Sequence, residues 1–295
     1  MPADAPATRA STRGRRRGKP WRAVGRYVLL TVLAAIVVFP VYMTVVNSLV
    51  PPESIFRRPP PFFPTDPQWD GYSKAWTGGH MSRYLVNSFI VSAIIVTVQV
   101  VTAITSGYAF AFLEFPFKRT IFVVFLATMM VPFEVTIVTN LTTISQGIGP
   151  IELDWYDSYA ALTVPFLATG FGVFLLRQAF LQVPTELRDA AEIDGCGHLR
   201  FMRLVAVPLA RPTIGALTLF SFLAAWNQYL WPLLVTEDDR LRTVQVGLKQ
   251  LRSTQLDGIN VTLAGTVLAA LPLVVLLIVF QRQLIRGLTT GAVRG

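Results

Sequence analysis

The longest uncharged stretch of the chain runs from Tyr84 to Leu113 and reads YLVNSFIVSAIIVTVQVVTAITSGYAFAFL, 30 residues without an Asp, Glu, Lys or Arg. A bilayer core of about 30 Å is crossed by roughly 20 residues of α-helix, so this stretch is long enough to span a membrane. A buried helix of a soluble protein would usually be shorter. The stretch therefore predicts a transmembrane helix.

Five further stretches repeat this pattern along the chain. From Thr120 to Phe133 there are only 14 residues, too few to cross a bilayer, so a helix that begins at Thr120 must carry Glu134 into the membrane. With that helix included, the sequence predicts an all-α integral membrane protein with six transmembrane helices. The predicted spans are residues 27–50, 84–113, 120–141, 158–177, 213–236 and 258–281.

The composition supports this fold class and argues against others. Hydrophobic residues make up 53% of the chain and charged residues 15%, whereas soluble domains average about 25% charged residues. The net charge is +9, but the basic residues lie in clusters between apolar runs, whereas a nucleic-acid-binding protein spreads them over a solvated face. Cys196 is the single cysteine and only two histidines are present. We therefore expect no intrachain disulfide, no nucleic-acid partner and no metal site.

The distribution of Lys and Arg predicts the orientation in the membrane. Six spans place both termini and two loops on one side, and these segments hold 18 Lys and Arg residues, against eight on the other side. By the positive-inside rule, both termini lie in the cytoplasm. Residues 1–25 are expected to be a disordered basic tail, followed by a six-span domain over residues 26–295. A cleaved signal peptide is the alternative for the first run, but residues 47–51 lack a small-x-small cleavage site.

The loop between the fourth and fifth spans, residues 184–212, is longer than a simple connection requires. Pro184 followed by Glu186 predicts the start of a helix, and Asp194-Gly195 predicts a turn that ends it. A second amphipathic piece follows from Leu199 to Leu204. A helix–turn–helix with apolar side chains facing outward suits docking into a groove of another protein. The alternative is an interfacial helix that lies on the lipid surface.

The sequence of this loop resembles that of a known family. Residues 189–195 read DAAEIDG and are followed by Phe201 and Pro208. This spacing, ahead of the last two spans, resembles the "EAA" loop of ABC-importer permeases. Asp189 stands where that family usually has Glu, and Cys196 where it has Ala; both changes are conservative.

Other stretches extend the likeness over residues 27–290 to the carbohydrate-type permeases. Among these the chain most resembles the second permease subunit of sn-glycerol-3-phosphate importers. The matching stretches are Asn87-Ser88, residues 130–134 (MVPFE), residues 226–232 (WNQYLWP) and residues 281–288 (QRQLIRGL).

The resemblance implies a type I ABC-importer permease fold in the bacterial plasma membrane, with the loop as a coupling helix that inserts into an ATPase subunit. The chain would form half of a translocation pathway for sn-glycerol 3-phosphate, a glycerophosphodiester, or alternatively a sugar or oligosaccharide. The residues implied in coupling are Asp189, Ala190, Ala191, Asp194, Gly195, Leu199, Phe201 and Met202.

The resemblance also implies the partners: a homologous second permease, two ATPase subunits, an extracytoplasmic solute-binding protein and the surrounding membrane lipid. The chain lacks a Gly-x-x-x-x-Gly-Lys-Ser/Thr loop, so ATP and Mg are expected on the partner ATPases and no cofactor or catalytic residue in this chain. An ion-coupled secondary transporter is a different alternative and would depend on Glu134. A membrane enzyme has no supporting group of residues.

A substrate pathway follows from depth along the predicted helices. Glu134 lies 15 residues beyond Arg119 and Asn227 lies 15 residues beyond Pro212, or roughly 22 Å along each helix at 1.5 Å per residue. A carboxylate and a polar pair at one level predict a polar cavity. The predicted pathway residues are Glu134, Trp226, Asn227, Gln228, Tyr229 and Trp231.

Two interpretations of these residues remain open. In the first, Trp faces attract a quaternary ammonium group, which favours a glycerophosphodiester such as glycerophosphocholine over free glycerol phosphate. In that cavity Glu134, without a local Arg, would repel a bare phosphate unless the partner permease supplies the cation. In the second, Glu134 bonds a neighbouring helix and the aromatic residues form an interfacial belt.

Overall fold

The computed structural model describes residues 20–147, 153–253 and 258–290, and these residues form helices and connecting loops without a β-strand. The helices used below are α1 (Pro20–Leu49), α2 (Met81–Phe112), α3 (Lys118–Thr128), α4 (Phe133–Gln146), α5 (Tyr159–Thr163), α6 (Gly170–Phe180), α7 (Thr185–Ile193), α8 (His198–Phe201), α9 (Arg211–Trp226), α10 (Leu230–Val235), α11 (Val244–Ser253) and α12 (Ile259–Thr290). Short helical turns occur at Pro52–Ile55, Asp70–Ser73, Lys74–Gly78, Val164–Phe166, Met202–Ala206 and Val207–Leu209.

Three described helices are long and apolar enough to cross a membrane: Val24–Leu49, Met81–Phe112 and Ile259–Gln281. They correspond to the predicted spans 27–50, 84–113 and 258–281. The first begins earlier than predicted, because α1 starts at Pro20, so residues 20–25 are helical rather than part of a disordered tail. Residues 1–19 of that tail lie outside the described residues.

The other predicted spans are broken helices. The predicted span 120–141 consists of α3 and α4, which meet at an angle of 95°. The predicted span 158–177 bends by 46° between Tyr159–Phe166 and Gly170–Phe180. A third pair, His198–Leu209 and Arg211–Trp226, bends by 77°. If each bent pair crosses once, the described residues provide six spans by length and composition.

Prolines lie at two of these breaks. Pro132 lies directly before α4 with an extended backbone, and it cannot donate the backbone hydrogen bond that a continuous helix needs. Pro212 lies in the first turn of α9, where the missing donor costs nothing. The predicted span 213–236 is also interrupted, because α9 ends at Trp226 and α10 begins only at Leu230.

The helix α2 is the centre of the fold, and it packs against α6 and α9, while α1 and α9 pack against α12. Small residues permit the closest of these contacts. A Cβ atom at Gly107 would lie 3.0 Å from the Leu176 Cβ, and one at Gly172 would lie 3.1 Å from the Ala103 Cβ. Glycines at this crossing therefore allow α2 and α6 to approach as closely as they do.

Candidate coupling and pathway sites

The predicted helix–turn–helix is present and is called here the elbow (Thr185–Phe201). Its first helix, α7, ends at Ile193, Asp194 is its C-cap, and Gly195 follows with φ +67°. The Cys196 amide donates to the Ala191 carbonyl at 2.8 Å, which closes the turn. Nothing lies within 4 Å of a Cβ atom placed at Gly195, so the backbone angle alone explains the glycine.

Phe201 anchors the elbow to the rest of the chain. Its side chain is only 4% exposed, and its ring packs edge-on against Phe112 with centroids 5.5 Å apart. Met202 is half-buried against the same cluster. Phe201 was expected to contact a partner protein. Its ring instead packs into the core of this chain.

The outward apolar surface of the elbow is formed by other side chains. Leu199 is 74% exposed, as expected for a contact residue, and Ile193 is 87% exposed. Leu187 on α7 is partly exposed as well. Sequence reasoning missed Ile193 and Leu187 because it followed the family motif rather than the helical faces. Asp189, Ala190 and the turn at Asp194 are exposed beside them.

A cavity of about 230 Å³ lies between the elbow and α2, with Tyr108, Ala191, Cys196 and His198 among its lining residues. The Tyr108 hydroxyl and His198 Nδ1 lie 3.2 Å apart. Together with the Phe201 anchor, this contact joins the elbow to α2, the central helix of the fold.

The predicted pathway residues lie around a second interruption, called here the polar break (Asn227, Gln228, Tyr229), between α9 and α10. Asn227 is exposed, its Nδ2 donates to the Leu223 carbonyl at 2.8 Å, and its Oδ1 accepts from Gln245 Nε2 at 3.3 Å. Within the described part of the chain, Gln228 Oε1 and the Tyr229 hydroxyl are buried without a hydrogen-bond partner.

The two tryptophans that flank the polar break belong to the core. Trp226 is 1% exposed, and its Nε1 donates to the Ala269 carbonyl at 3.2 Å. Trp231 is 2% exposed, and its Nε1 donates to the Ala161 carbonyl at 2.9 Å. The Phe222 ring stacks on the Trp226 indole. The rings of Phe133 on α4 and of Phe166 lie against the Trp231 indole. We expected both tryptophans to border an open cavity. That expectation is wrong, because both rings are buried in the core.

Glu134 is also placed differently from the prediction. It lies exposed in the first turn of α4, where a carboxylate suits the helix dipole. The depth argument failed because it assumed one straight helix from Thr120, whereas the chain bends by 95° before α4. Its neighbour Phe133 contacts Trp231 at 5.4 Å between ring centroids. Glu134 is therefore not a buried carboxylate. It is an exposed residue next to Phe133, which packs against Trp231.

Asn87 and Ser88 on α2 fix the segment that follows α10. Asn87 Nδ2 donates to the carbonyls of Arg240 and Arg242 at 2.7 and 2.9 Å, and its Oδ1 accepts from the Tyr159 hydroxyl at 2.8 Å. Ser88 Oγ accepts from the Val244 amide at 2.8 Å. The sequence signal for this positioning role is an Asn-Ser pair inside an apolar helix, which the family resemblance includes without indicating what the pair holds.

The held segment leads into α11, which covers the polar break. Val244, Val246 and Leu251 on α11 are buried, whereas Gln245 and Lys249, one helical turn apart, face the break. Gln245 bonds Asn227, and the Lys249 ammonium lies 5.3 Å from the centre of the Tyr229 ring. Sequence reasoning missed both α11 residues because nothing in the sequence places residues 245–249 beside residues 227–229.

Comparison with known proteins decides the family. The sequence profile of the binding-protein-dependent transport system inner membrane components matches residues 99–290. The chain belongs to this family. It is a permease component of an ABC importer, and its curated relatives are transport permease subunits.

The curated relatives match the permease over almost its whole length. It is 36% identical over 282 residues to the sn-glycerol-3-phosphate transport system permease protein UgpE of Agrobacterium fabrum, covering 92% of this chain and 97% of the relative. It is 36% identical to the protein of the same name from Rhizobium meliloti and 32% identical to that of Yersinia pestis.

A solved structure shows the same fold. The permease matches a chain of a bacterial ABC transporter involved in the import of the acidic polysaccharide alginate, with a TM-score of 0.75, and the match covers 90% of the permease and 97% of that chain. The two sequences are only 18% identical, so this likeness concerns the fold alone. The type I ABC-importer permease fold expected from the sequence is thus confirmed.

Proposed function

We propose that the permease forms half of the translocation pathway of an ATP-driven importer for sn-glycerol 3-phosphate or a glycerophosphodiester. The observation that carries this proposal is the 36% identity to an sn-glycerol-3-phosphate permease over 92% of one chain and 97% of the other. Identity spread over the whole length supports the same kind of substrate, because the pathway of a permease is built from several helices.

The elbow is the proposed connection to the ATPase. Its exposed Ile193 and Leu199 offer apolar surface beyond the chain, while Phe201 and the Tyr108–His198 contact join it to α2. An apolar helix face docks into a groove with favourable burial. Movement of an ATPase subunit would then pull on α2 through the elbow.

The proposed assembly contains a homologous second permease, two ATPase subunits and an extracytoplasmic solute-binding protein. The family's description as binding-protein-dependent supports the last of these. The sequence has no phosphate-binding Gly-x-x-x-x-Gly-Lys-Ser/Thr loop, which supports separate ATPase subunits that bind ATP and Mg.

The proposed location is the bacterial plasma membrane, with both termini and the elbow in the cytoplasm. The excess of Lys and Arg on that side, 18 against eight, supports this orientation. In it, the polar break and α11 lie toward the opposite side, where a solute-binding protein would deliver substrate.

The positions of the two tryptophans change the argument about the substrate. Covered indole faces at Trp226 and Trp231 do not provide a cage for a quaternary ammonium group. The preference for glycerophosphocholine over free glycerol phosphate therefore loses its physical support, and the shared glycerol phosphate group is the part of the substrate that we propose is recognised.

The test is uptake into liposomes that contain the assembled transporter. Labelled sn-glycerol 3-phosphate should accumulate only with ATP inside, the solute-binding protein outside and this chain present. Unlabelled glycerophosphocholine should compete, whereas neutral disaccharides should not. Uptake of sugars without uptake of either glycerol phosphate compound would contradict the proposed substrate class.

A further inference from the structure

We propose that Lys249 is the cation that receives the phosphate group of the substrate, in a site formed with the polar break. This inference rests on the proposed function, since it assigns residues to a phosphate-bearing substrate. A phosphate group carries negative charge, and Lys249 is a cation of this chain that lies beside the polar break.

The charge of Lys249 is available to a ligand. Its side chain is exposed, and no carboxylate among residues 20–147, 153–253 and 258–290 lies within 4.0 Å of its ammonium group. The nearby acids have other partners, because Asp238 pairs with Arg240 at 3.8 Å and Asp239 pairs with Arg242. Lysine acts as a point charge toward phosphate, and a charge-assisted hydrogen bond is about twice as strong as a neutral one.

The polar break supplies groups that suit the rest of the ligand. The Tyr229 hydroxyl can donate to a phosphate oxygen, and Gln228 Oε1 can accept from a glycerol hydroxyl. Both atoms are buried and have no hydrogen-bond partner within the described chain. A buried polar atom without a hydrogen-bond partner is destabilising, so a ligand that bonds both atoms removes that penalty. Interrupted helices near a membrane pathway are a usual location for such groups.

The position of Lys249 is fixed by the fold rather than left to a free loop. The side chains of Asn87 and Ser88 hold the start of α11 and the segment before it through hydrogen bonds to backbone atoms. Gly247 lies so close to α2 that a Cβ atom there would overlap the Tyr84 ring. Gln245, one turn before Lys249, bonds Asn227. The face of α11 that carries the ammonium group is therefore held over Tyr229.

The test replaces and then restores the charge. In a Cys196→Ala background, which has no cysteine in this chain, Lys249→Cys should lower uptake of sn-glycerol 3-phosphate at least about tenfold, the effect of 1.4 kcal/mol. Reaction with aminoethyl methanethiosulfonate, which restores a positive charge at similar length, should recover uptake. The anionic sulfonatoethyl reagent should not, and Lys249→Arg should retain most uptake.

Controls separate the possible reasons for a loss. Arg57→Gln removes an exposed charge on the same predicted side and should transport normally. The Cys196→Ala protein treated with both reagents reports on cysteines of the other subunits. Retention of the solute-binding protein by the Lys249→Cys transporter should equal that of the wild type.

The other possible results contradict either the proposed function or the role of Lys249. Wild-type transporter that imports neither glycerol phosphate compound contradicts the proposed function itself. If the wild type transports but Lys249→Cys transports equally well, Lys249 does not receive phosphate. A loss that neither reagent reverses, or a loss of binding-protein retention, assigns Lys249 to packing or docking and also overturns the inference.

Discussion

The elbow and the polar break are both short interruptions between helices, but they present opposite chemistry. The elbow turns at one glycine and exposes apolar side chains, Ile193 and Leu199. The polar break turns at three polar residues, and within the described part of the chain two of their polar atoms, Gln228 Oε1 and the Tyr229 hydroxyl, are buried without a hydrogen-bond partner. Exposed apolar surface gains by docking to a protein, whereas buried unpartnered polar atoms gain by binding a polar ligand. This difference supports the proposed role of the elbow in coupling and the proposed role of the polar break in substrate recognition.

The residues that hold each interruption in place differ from those that would contact a partner or ligand. Phe201 and Trp231 are buried anchors, and Leu199 and Lys249 are exposed. Substitution of an anchor should change stability, whereas substitution of an exposed residue should change function at constant stability.

The largest effect is expected at Trp231, the anchor beside the polar break. Trp231→Ala should destabilise the chain by about 3–5 kcal/mol, because a buried aromatic side chain and its hydrogen bond to Ala161 are lost. Thermal unfolding of the purified chain measures this, with Leu230→Ala at a partly exposed neighbouring position as the control. An altered substrate preference at unchanged melting temperature would instead support an open cavity at Trp231.

A smaller effect is expected at Asn87, which holds the segment before α11. Asn87→Ala should cost about 1–3 kcal/mol, since two backbone carbonyls lose a shared donor. Hydrogen exchange of residues 240–253 should rise and uptake should fall. Asn140→Ala, which removes only a bond to Thr136 on its own helix, should leave that exchange unchanged. Equal exchange in both variants would show that Asn87 does not position α11.

A still smaller effect separates two glycines of the elbow. Gly195→Ala should cost about 1–2 kcal/mol, because alanine is strained at the left-handed φ of +67°. Gly197→Ala is the matched control: its φ is −66° and its Cβ position is also open, so it carries no left-handed strain and should cost only the N-cap preference for glycine over alanine, about 0.5 kcal/mol. Equal melting temperatures for the two variants would contradict the assigned turn.

The sequence predicted the elbow well because its signals are local. Pro184, Glu186 and Asp194-Gly195 determine a helix start and a turn within a few residues, and the structure has both at those positions. What a local pattern cannot supply is the direction of each side chain relative to the rest of the fold. Phe201 and Leu199 are two residues apart and equally apolar, yet only the packing of α8 against α2 makes one buried and the other exposed.

The pathway was predicted less well because its geometry is not local. A helix rise of 1.5 Å per residue gives depth only along a straight helix, and the bend between α3 and α4 invalidated that estimate for Glu134. The polar break itself was visible as Asn227-Gln228, but Lys249 reaches it through a contact between residues 20 positions apart. Pro132, which interrupts that span, was the available warning of a bend.

The most direct test of the division between anchors and contacts compares Leu199→Ser with Phe201→Leu in the assembled transporter. Leu199 is 74% exposed and Phe201 is 4% exposed. The first variant should change the melting temperature little, within about 0.5 kcal/mol, but should lose co-purifying ATPase and uptake. The second should lower stability by about 1 kcal/mol while the ATPase stays bound. Retention of the ATPase by Leu199→Ser and its loss from Phe201→Leu would contradict the account.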